Sequence, residues 1–493
     1  MSRVLTLLLL LPLSGAVIIA FLPARRADLI RRLAMLVTAL ALAFSLSLLA
    51  GFSLADSGQQ YFETRPWNPR VGSSFALGVD GISMPMVVLT ALLCFVSALA
   101  SAGVRSGARL YFALLLVLEA AMLGVFMARD WSLFYVFWEL TLIPLFFLID
   151  RMGGPNRHRA ALNFVLYTLG ASVFMLVALL LLYDAAPEHS FAMADMAAGG
   201  AGLPAATQLL VFAGLFIGFG VKMPVFPLHG WLPLAHVEAP SPVSILLSGV
   251  LLKMGAYGFI RAAETLPAAF LAMQDALAVL ALVSLAYGGA LAWRQTDLKR
   301  MVAYSSMAHM GVVLLGIATL NATGLAGAVF QMLAHGLVAG LLFLLVGAIY
   351  QRARTRELGE IGLLSGSAPR LAWLLAVALL AAAGLPGSAS FIAELHVLIG
   401  GFARWQGWVM LLSLGVLISV AYALRVVGRL CLLRPHGVAA QMNPVVPIAD
   451  LNVFETLAAG LLVAGIVFAG VLPAPFLDVS AATVQAVARL FGN

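Results

Sequence analysis

The chain returns repeatedly to blocks of about twenty apolar residues, the length a helix needs to cross a hydrocarbon core of ~30 Å. We count fourteen such blocks, roughly at residues 4–22, 29–50, 79–103, 110–128, 132–149, 161–183, 208–226, 241–262, 270–292, 300–319, 325–350, 371–402, 407–430 and 453–472. Within lipid, only helices and closed barrels satisfy every backbone N–H and C=O. Barrel strands would show short alternating segments instead of long uniform blocks. Composition agrees: the chain is 63% hydrophobic and 10% charged, against about 25% charged in a soluble domain. The fold class is therefore an all-α polytopic membrane protein with about fourteen transmembrane helices.

A formal charge of +7 invites a nucleic-acid reading, but the basic residues sit in short loops between apolar blocks, where they act as a topology signal. Taking alternate loops, nineteen Lys and Arg fall on one side, among them Arg25, Arg26, Arg31, Arg32, Lys299, Arg300, Arg352 and Arg434. Seven fall on the other: Arg3, Arg65, Arg70, Arg129, Arg261, Arg404 and Arg489. The positive-inside rule places the richer side in the cytoplasm of a bacterial inner membrane and both termini outside. Residues 1–22 resemble a signal peptide, but no small-residue cleavage site follows, and the reading is a retained first helix. Cys94 and Cys431 offer neither a disulfide framework nor a metal cluster. There is no phosphate-binding loop, dinucleotide fingerprint or iron–sulfur cysteine cluster, so no cofactor is expected in this chain.

Two blocks are interrupted. The seventh carries Lys222-Met-Pro-Val-Phe-Pro227 and the twelfth Gly384-Leu-Pro-Gly-Ser388. Proline removes an amide donor and clashes with the preceding turn, so each helix should break there. A single break is an ordinary kink. Two breaks, each fourth in a set of five spans, predict two inverted five-helix repeats around a transport site. The expected units are residues 1–108 (three N-terminal helices), 109–262 (first repeat), 270–430 (second repeat) and 431–493 (a last helix).

A charged side chain at the bilayer centre costs at least ~2.5–3.5 kcal/mol on insertion scales, so the few that occur there are candidate functional groups. They are Glu139, Lys222 at the first break, Lys253, and Glu394 beyond the second break, with Glu119 in the fourth span and His309 and His335 in the tenth and eleventh. A buried lysine whose carboxylate partner can approach or withdraw is a proton switch, and Lys222 with Glu139 is the natural pair. Histidine passes protons through either ring nitrogen. Lys253, His309, His335 and Glu394 are therefore expected to form a proton relay across the bundle. Plainer readings stand beside these: a purely structural Lys–Glu pair, interhelical hydrogen bonds for His309 and His335, and a structural carboxyl at Glu119. His229 and His236 lie in a proline-rich connector after the first break. With no third ligand near, they are read as lining the cytoplasmic mouth of a proton path, not as a zinc site.

Phe137-Trp-Glu-Leu-Thr-Leu-Ile-Pro144, Lys222-Met-Pro-Val-Phe-Pro-Leu-His-Gly-Trp-Leu-Pro233, His236-Val-Glu-Ala-Pro240, Leu251-Leu-Lys-Met-Gly-Ala-Tyr-Gly258, Asp297-Leu-Lys-Arg-Met-Val-Ala-Tyr-Ser-Ser306 and Gly384-Leu-Pro-Gly387 resemble the antiporter-like subunits of respiratory complex I. Val79-Asp-Gly-Ile-Ser83 and the acidic Glu394 bring the resemblance closest to chain M of NADH–quinone oxidoreductase, the mitochondrial subunit 4 type. The resemblance implies a non-redox, proton-translocating subunit. Glu139 and Lys222 would be its coupling pair, Lys253 the central relay, His309 and His335 the onward steps and Glu394 the terminal residue. It also implies neighbours of the L and N types in the membrane arm, with FMN, iron–sulfur clusters and quinone held by partner subunits. Leu234 and Ser241-Pro-Val-Ser244 depart from the pattern. The Ser241-Pro-Val-Ser244 stretch resembles the membrane subunits of hydrogenase-type and multisubunit sodium/proton antiporter complexes, the alternative parentage.

Overall fold

The computed structural model describes residues 3–432 and 448–492; Arg434, counted above on the basic side, lies outside them. Helices Val4–Phe21 (α1) and Ala27–Ala50 (α2) lead into an antiparallel hairpin of Gln60–Asn68 (β1) and Ser73–Val79 (β2), with Gln60 opposite Val79 and Asn68 opposite Ser73. Ser83–Ala100 (α3) and Ala108–Met127 (α4) follow. Trp131–Leu140 (α5) and Leu142–Met152 (α6) form one crossing jointed at Thr141. Then come Arg157–Ala185 (α7), Met193–Ala201 (α8), Ala205–Lys222 (α9) and the short Leu232–Glu238 (α10). Ser241–Leu246 (α11) runs through a π turn, Leu247–Leu251, into Leu252–Thr265 (α12). The chain continues with Pro267–Arg294 (α13), Leu298–Ala318 (α14), Ala322–Ala353 (α15), Leu364–Ser367 (α16), Pro369–Ala382 (α17), Ala389–Trp405 (α18), Leu411–Val427 (α19), Val453–Val471 (α20) and Ala474–Arg489 (α21).

Among the described residues, thirteen helical runs are long and apolar enough to cross a membrane. The run Ala389–Leu432 is 44 residues long, too long for one crossing, and holds α18 and α19, while α17 is a shorter apolar helix. With α17 and α18 as the two halves of one broken crossing, the count is the expected fourteen. Each set of five, α4 to α12 and α13 to α19, carries its break in the fourth crossing.

The breaks close in the same way. Pro224 and Pro227 end α9, and Val225 N–H reaches back five residues to the Gly220 carbonyl at 2.8 Å. At α17, Leu385 N–H reaches Leu380 O at 3.1 Å, also five residues back. There the turn runs through Gly384 (φ +72°) and Gly387 (φ +92°), left-handed conformations that a Cβ would oppose. In both breaks the terminal carbonyls of the first half-helix are left without intrahelical partners.

Burial separates the helices into two groups. The crossing of α11 and α12, and α15, are buried all round, and α14 nearly so; α1, α2, α7 and α20 keep broad outward apolar faces. The hairpin seals one end of the bundle. Glu63 of β1 accepts from Leu5 N–H at 2.8 Å, a carboxylate cap on the positive end of α1. Asp80, just past β2, accepts from Ile82 and Ser83 N–H at 3.0 Å each and caps α3. It also pairs with Arg129 at 3.1 Å and with Arg261 of α12. Burial pushes the Asp80 carboxyl up, and the Arg129 and Arg261 guanidiniums outweigh it, holding the group well below the usual carboxylate range.

Candidate functional site

Three polar stations lie inside the bundle. The first is Lys222, in the last turn of α9, where a cation meets the carbonyl end of the helix favourably. Its Nζ donates to Thr141 Oγ1 at 3.2 Å and lies 4.9 Å from the Trp138 ring centre and 6.0 Å from that of Phe164. Among the described residues, no ion pair joins Lys222 directly to Glu139, its partner in the switch expected from the sequence. The joint between α5 and α6 turns Thr141 to the ammonium. Among the described residues, Glu139 Oε1 is buried without a hydrogen-bond partner. The joint follows from Pro144, which cannot donate to the Leu140 carbonyl four residues back.

Lys253, on α12, makes the second station. Its Nζ donates to the Ser248 carbonyl at 2.7 Å and lies 2.5 Å from His335 Nδ1 on α15. The π turn matters here: it inserts one residue, so Lys253 faces a carbonyl five residues back. An ammonium donating to Nδ1 and an imidazole donating to a neutral amine are the two ends of one proton transfer, and the contact serves both.

The third station joins His309 to the second break. His309 and His335 rings lie 5.3 Å apart between centres. His309 Nδ1 is 2.7 Å from Ser305 O, and Nε2 is 2.8 Å from Ala382 O, the last residue of α17. Both oxygens only accept, so both contacts are hydrogen bonds only when the ring carries two protons; a neutral ring must give one up. The protonation of His309 is thus written into the contact that caps α17. Beyond the break, Glu394 of α18 lies against Gly384, where an added Cβ would stand 2.6 Å from Oε2.

The other sequence candidates stand apart from this line. Glu119 is fully buried on α4 with neither carboxyl oxygen partnered among the described residues. His229 lies among the rings of Phe226 and Tyr287, 5.9 and 5.3 Å away between centres. His236, fully buried on α10, stacks on Phe343 at 4.9 Å, and neither ring nitrogen has a partner among the described residues. Thr141, Ser248, Ser306 and Asp80 were not singled out as site residues by the sequence reading. Small hydroxyl residues are common in membrane helices, and Thr141 and Ser248 stand two and five residues from Glu139 and Lys253, not the three or four that would mark a shared helix face.

Residues 128–419 match the family model described as NADH:quinone oxidoreductase/Mrp antiporter, TM. The chain belongs to this family of antiporter-like membrane subunits. Among its relatives is NAD(P)H-quinone oxidoreductase chain 4 2 of Thermosynechococcus vestitus, 39% identical over 494 residues, covering 98% of this chain and 92% of that one. A chain of the respiratory complex I from Thermus thermophilus with bound NADH superimposes with a TM-score of 0.89 at 33% identity, over 99% of this chain and 100% of the other. A chain of the Mrp complex from a Dietzia species gives a TM-score of 0.89 at 22% identity, over 100% of both chains, a likeness of fold alone.

Proposed function

We propose that the chain translocates protons across the bacterial inner membrane as the chain M-type antiporter-like subunit of a proton-pumping NADH–quinone oxidoreductase. The observation that carries this reading is the buried row of Lys253, His335 and His309 on three helices, the first two hydrogen-bonded and the two rings 5.3 Å apart between centres, ending on the broken helix that faces Glu394. A spacer subunit gains nothing from desolvating such groups. The names of the relatives support the same parentage.

In this mechanism Lys222, with Thr141 and the nearby Glu139, is the charge-sensing station. A change in Glu139 charge alters how readily Lys222 holds its proton. Lys253 and His335 share and pass a proton, His309 receives it through bridging water, and its Nε2, on leaving the Ala382 carbonyl, releases a proton through water towards Glu394. The two five-helix repeats, residues 109–262 and 270–430, each supply one break. FMN, iron–sulfur clusters and quinone belong to partner subunits, with neighbours of the L and N types and both termini on the outer side. A second reading, membership of a hydrogenase-type or multisubunit sodium/proton antiporter complex, draws on Leu234 and Ser241-Pro-Val-Ser244.

Mild detergent purification with mass spectrometry of the accompanying subunits tests the parentage. NADH-binding and iron–sulfur subunits are expected alongside the chain. Hydrogenase or antiporter subunits in their place would move it to the sister complexes and overturn the complex I assignment.

A further inference from the structure

Where the first turn of α17 meets α20, the outward surface carries a groove of about 470 Å³, headed by Arg370 and floored by Val453, Leu457, Gly460, Leu461 and Ala464. Spacings of three and four put these α20 residues on one face of the helix. That face points outward: Val453 is 81% exposed and Leu457 49%. At Gly460 an added Cβ would meet nothing within 4 Å, so the groove is open there. From Val453 to Ala464 the face runs about 16 Å at 1.5 Å per residue. That is close to half of a ~30 Å hydrocarbon core, the depth of one leaflet. The groove thus begins at the end of the bundle richer in Lys and Arg and stops near mid-membrane.

The cation at its head is not used by the protein. The Asp450 carboxylate accepts from the backbone N–H groups of Arg370 at 3.1 Å, Leu371 at 3.0 Å and Leu451 at 2.8 Å, which fixes the start of α17. The Arg370 side chain is exposed, and among the described residues it makes no hydrogen bond or ion pair. Arg352, by contrast, is held by Glu455 through contacts of 2.6 and 3.1 Å. Three residues past Arg370, Trp373 is 61% exposed, as an indole at the headgroup boundary would be. Thr456 also lines the groove, and its hydroxyl has no partner among the described residues. A guanidinium binds phosphate through two parallel hydrogen bonds, and basic sites at the cytoplasmic ends of membrane helices attract anionic headgroups.

We propose that Arg370 and this face of α20 hold one anionic glycerophospholipid of the leaflet on the arginine-rich side, with its phosphate on the guanidinium and one acyl chain along Val453, Leu457, Gly460 and Ala464. The Thr456 hydroxyl, one turn below the head of the groove, is placed to donate to an ester carbonyl. An anionic headgroup fits and a zwitterionic one does not. The ammonium of phosphatidylethanolamine would bring a second cation to Arg370, and the carboxylate beside it, Asp450, is already held by three N–H groups. The lipid bridges the first turn of α17 to α20. It therefore holds that half-helix at the end opposite the Ala382 carbonyl that meets His309. The site goes beyond the proton-conducting reading and does not depend on it.

The test uses the assembled complex in liposomes of phosphatidylglycerol and phosphatidylethanolamine. Each lipid in turn carries a photoactivatable diazirine on its acyl chain, and the crosslinked peptides are mapped by mass spectrometry. Phosphatidylglycerol is expected to mark residues 453–464 severalfold more than phosphatidylethanolamine does. Arg370→Gln keeps the backbone N–H that Asp450 accepts and should abolish this preference. Gly460→Leu puts a side chain into the open groove and should lower marking of the segment by either lipid, with marking of the outward face of α7 unchanged. Equal marking by the two lipids, or an unchanged preference in Arg370→Gln, overturns the proposal. So does a segment that neither lipid marks, the result if a neighbouring subunit covers the groove. Should Gly460→Leu fail to assemble, Arg370→Gln decides alone.

Discussion

The two broken helices share one backbone solution and differ in what meets the freed carbonyls. At the first break the Val221 carbonyl accepts from the Trp231 indole at 2.8 Å, a donor that never titrates. At the second, the Ala382 carbonyl meets His309 Nε2 at 2.8 Å, a donor only while that nitrogen carries a proton. The first break also carries its own charge, Lys222, in its last turn, whereas the second borrows a titratable group from α14 and faces Glu394 across a glycine turn. Geometrically, then, the first break is a fixed platform for a lysine, and the second is a joint whose cap depends on proton occupancy. A shared backbone closure therefore does not imply identical work: the chemistry lies in the partner that satisfies the break.

Several substitutions separate the platform from the joint. The largest effect is expected for Lys222→Met, which removes the cation in the last turn before the first break: proton translocation in vesicles should fall to near background while the subunit content of the purified complex is unchanged. Normal pumping by a verified, assembled variant would remove Lys222 from the mechanism. Next, the two caps should fail in opposite ways. Trp231→Phe leaves a buried carbonyl without its donor, at a cost of about 1–3 kcal/mol in thermal stability, with pumping per assembled complex retained. His309→Gln keeps an N–H for Ala382 but cannot relay a proton, so stability should hold and pumping drop severalfold. If stability and pumping respond alike in both variants, the distinction between the breaks is unfounded. The smallest effect comes from the glycines. Gly384→Ala forces a side chain into the left-handed region, worth about 1–2 kcal/mol, and crowds Glu394. Gly220→Ala, in helical backbone with Leu228 Cδ1 the nearest atom at 3.2 Å, should be close to neutral. Equal thermal shifts would show that the second turn is no more constrained than the first.

The sequence made much of this legible for a physical reason: lipid removes the usual ambiguity. Long apolar blocks have one solution, proline at mid-block has one consequence, and a buried charge is conspicuous against the apolar residues around it. Thus the crossings, both breaks and the positions of Lys222, Lys253, His309, His335 and Glu394 could be read directly. The Glu139–Lys222 pair could not, because its geometry depends on how the joint at Thr141 rotates α5 relative to α9. Nor could Asp80 be recognised as the tie between the hairpin, Arg129 and Arg261, since its partners lie 49 and 181 residues away along the chain.

What the sequence by itself determined is the set of helices, their interruptions and the inventory of buried titratable groups, because each follows from the cost of placing backbone or charge in hydrocarbon. Which groups touch was decided only by the tertiary structure. A π turn of five residues aligns Lys253 with Ser248, α15 brings His335 within 2.5 Å of it, and α14 lays His309 on the end of α17. Those contacts depend on helix rotation and depth, and one residue of register about a helix axis turns a side chain by about 100°.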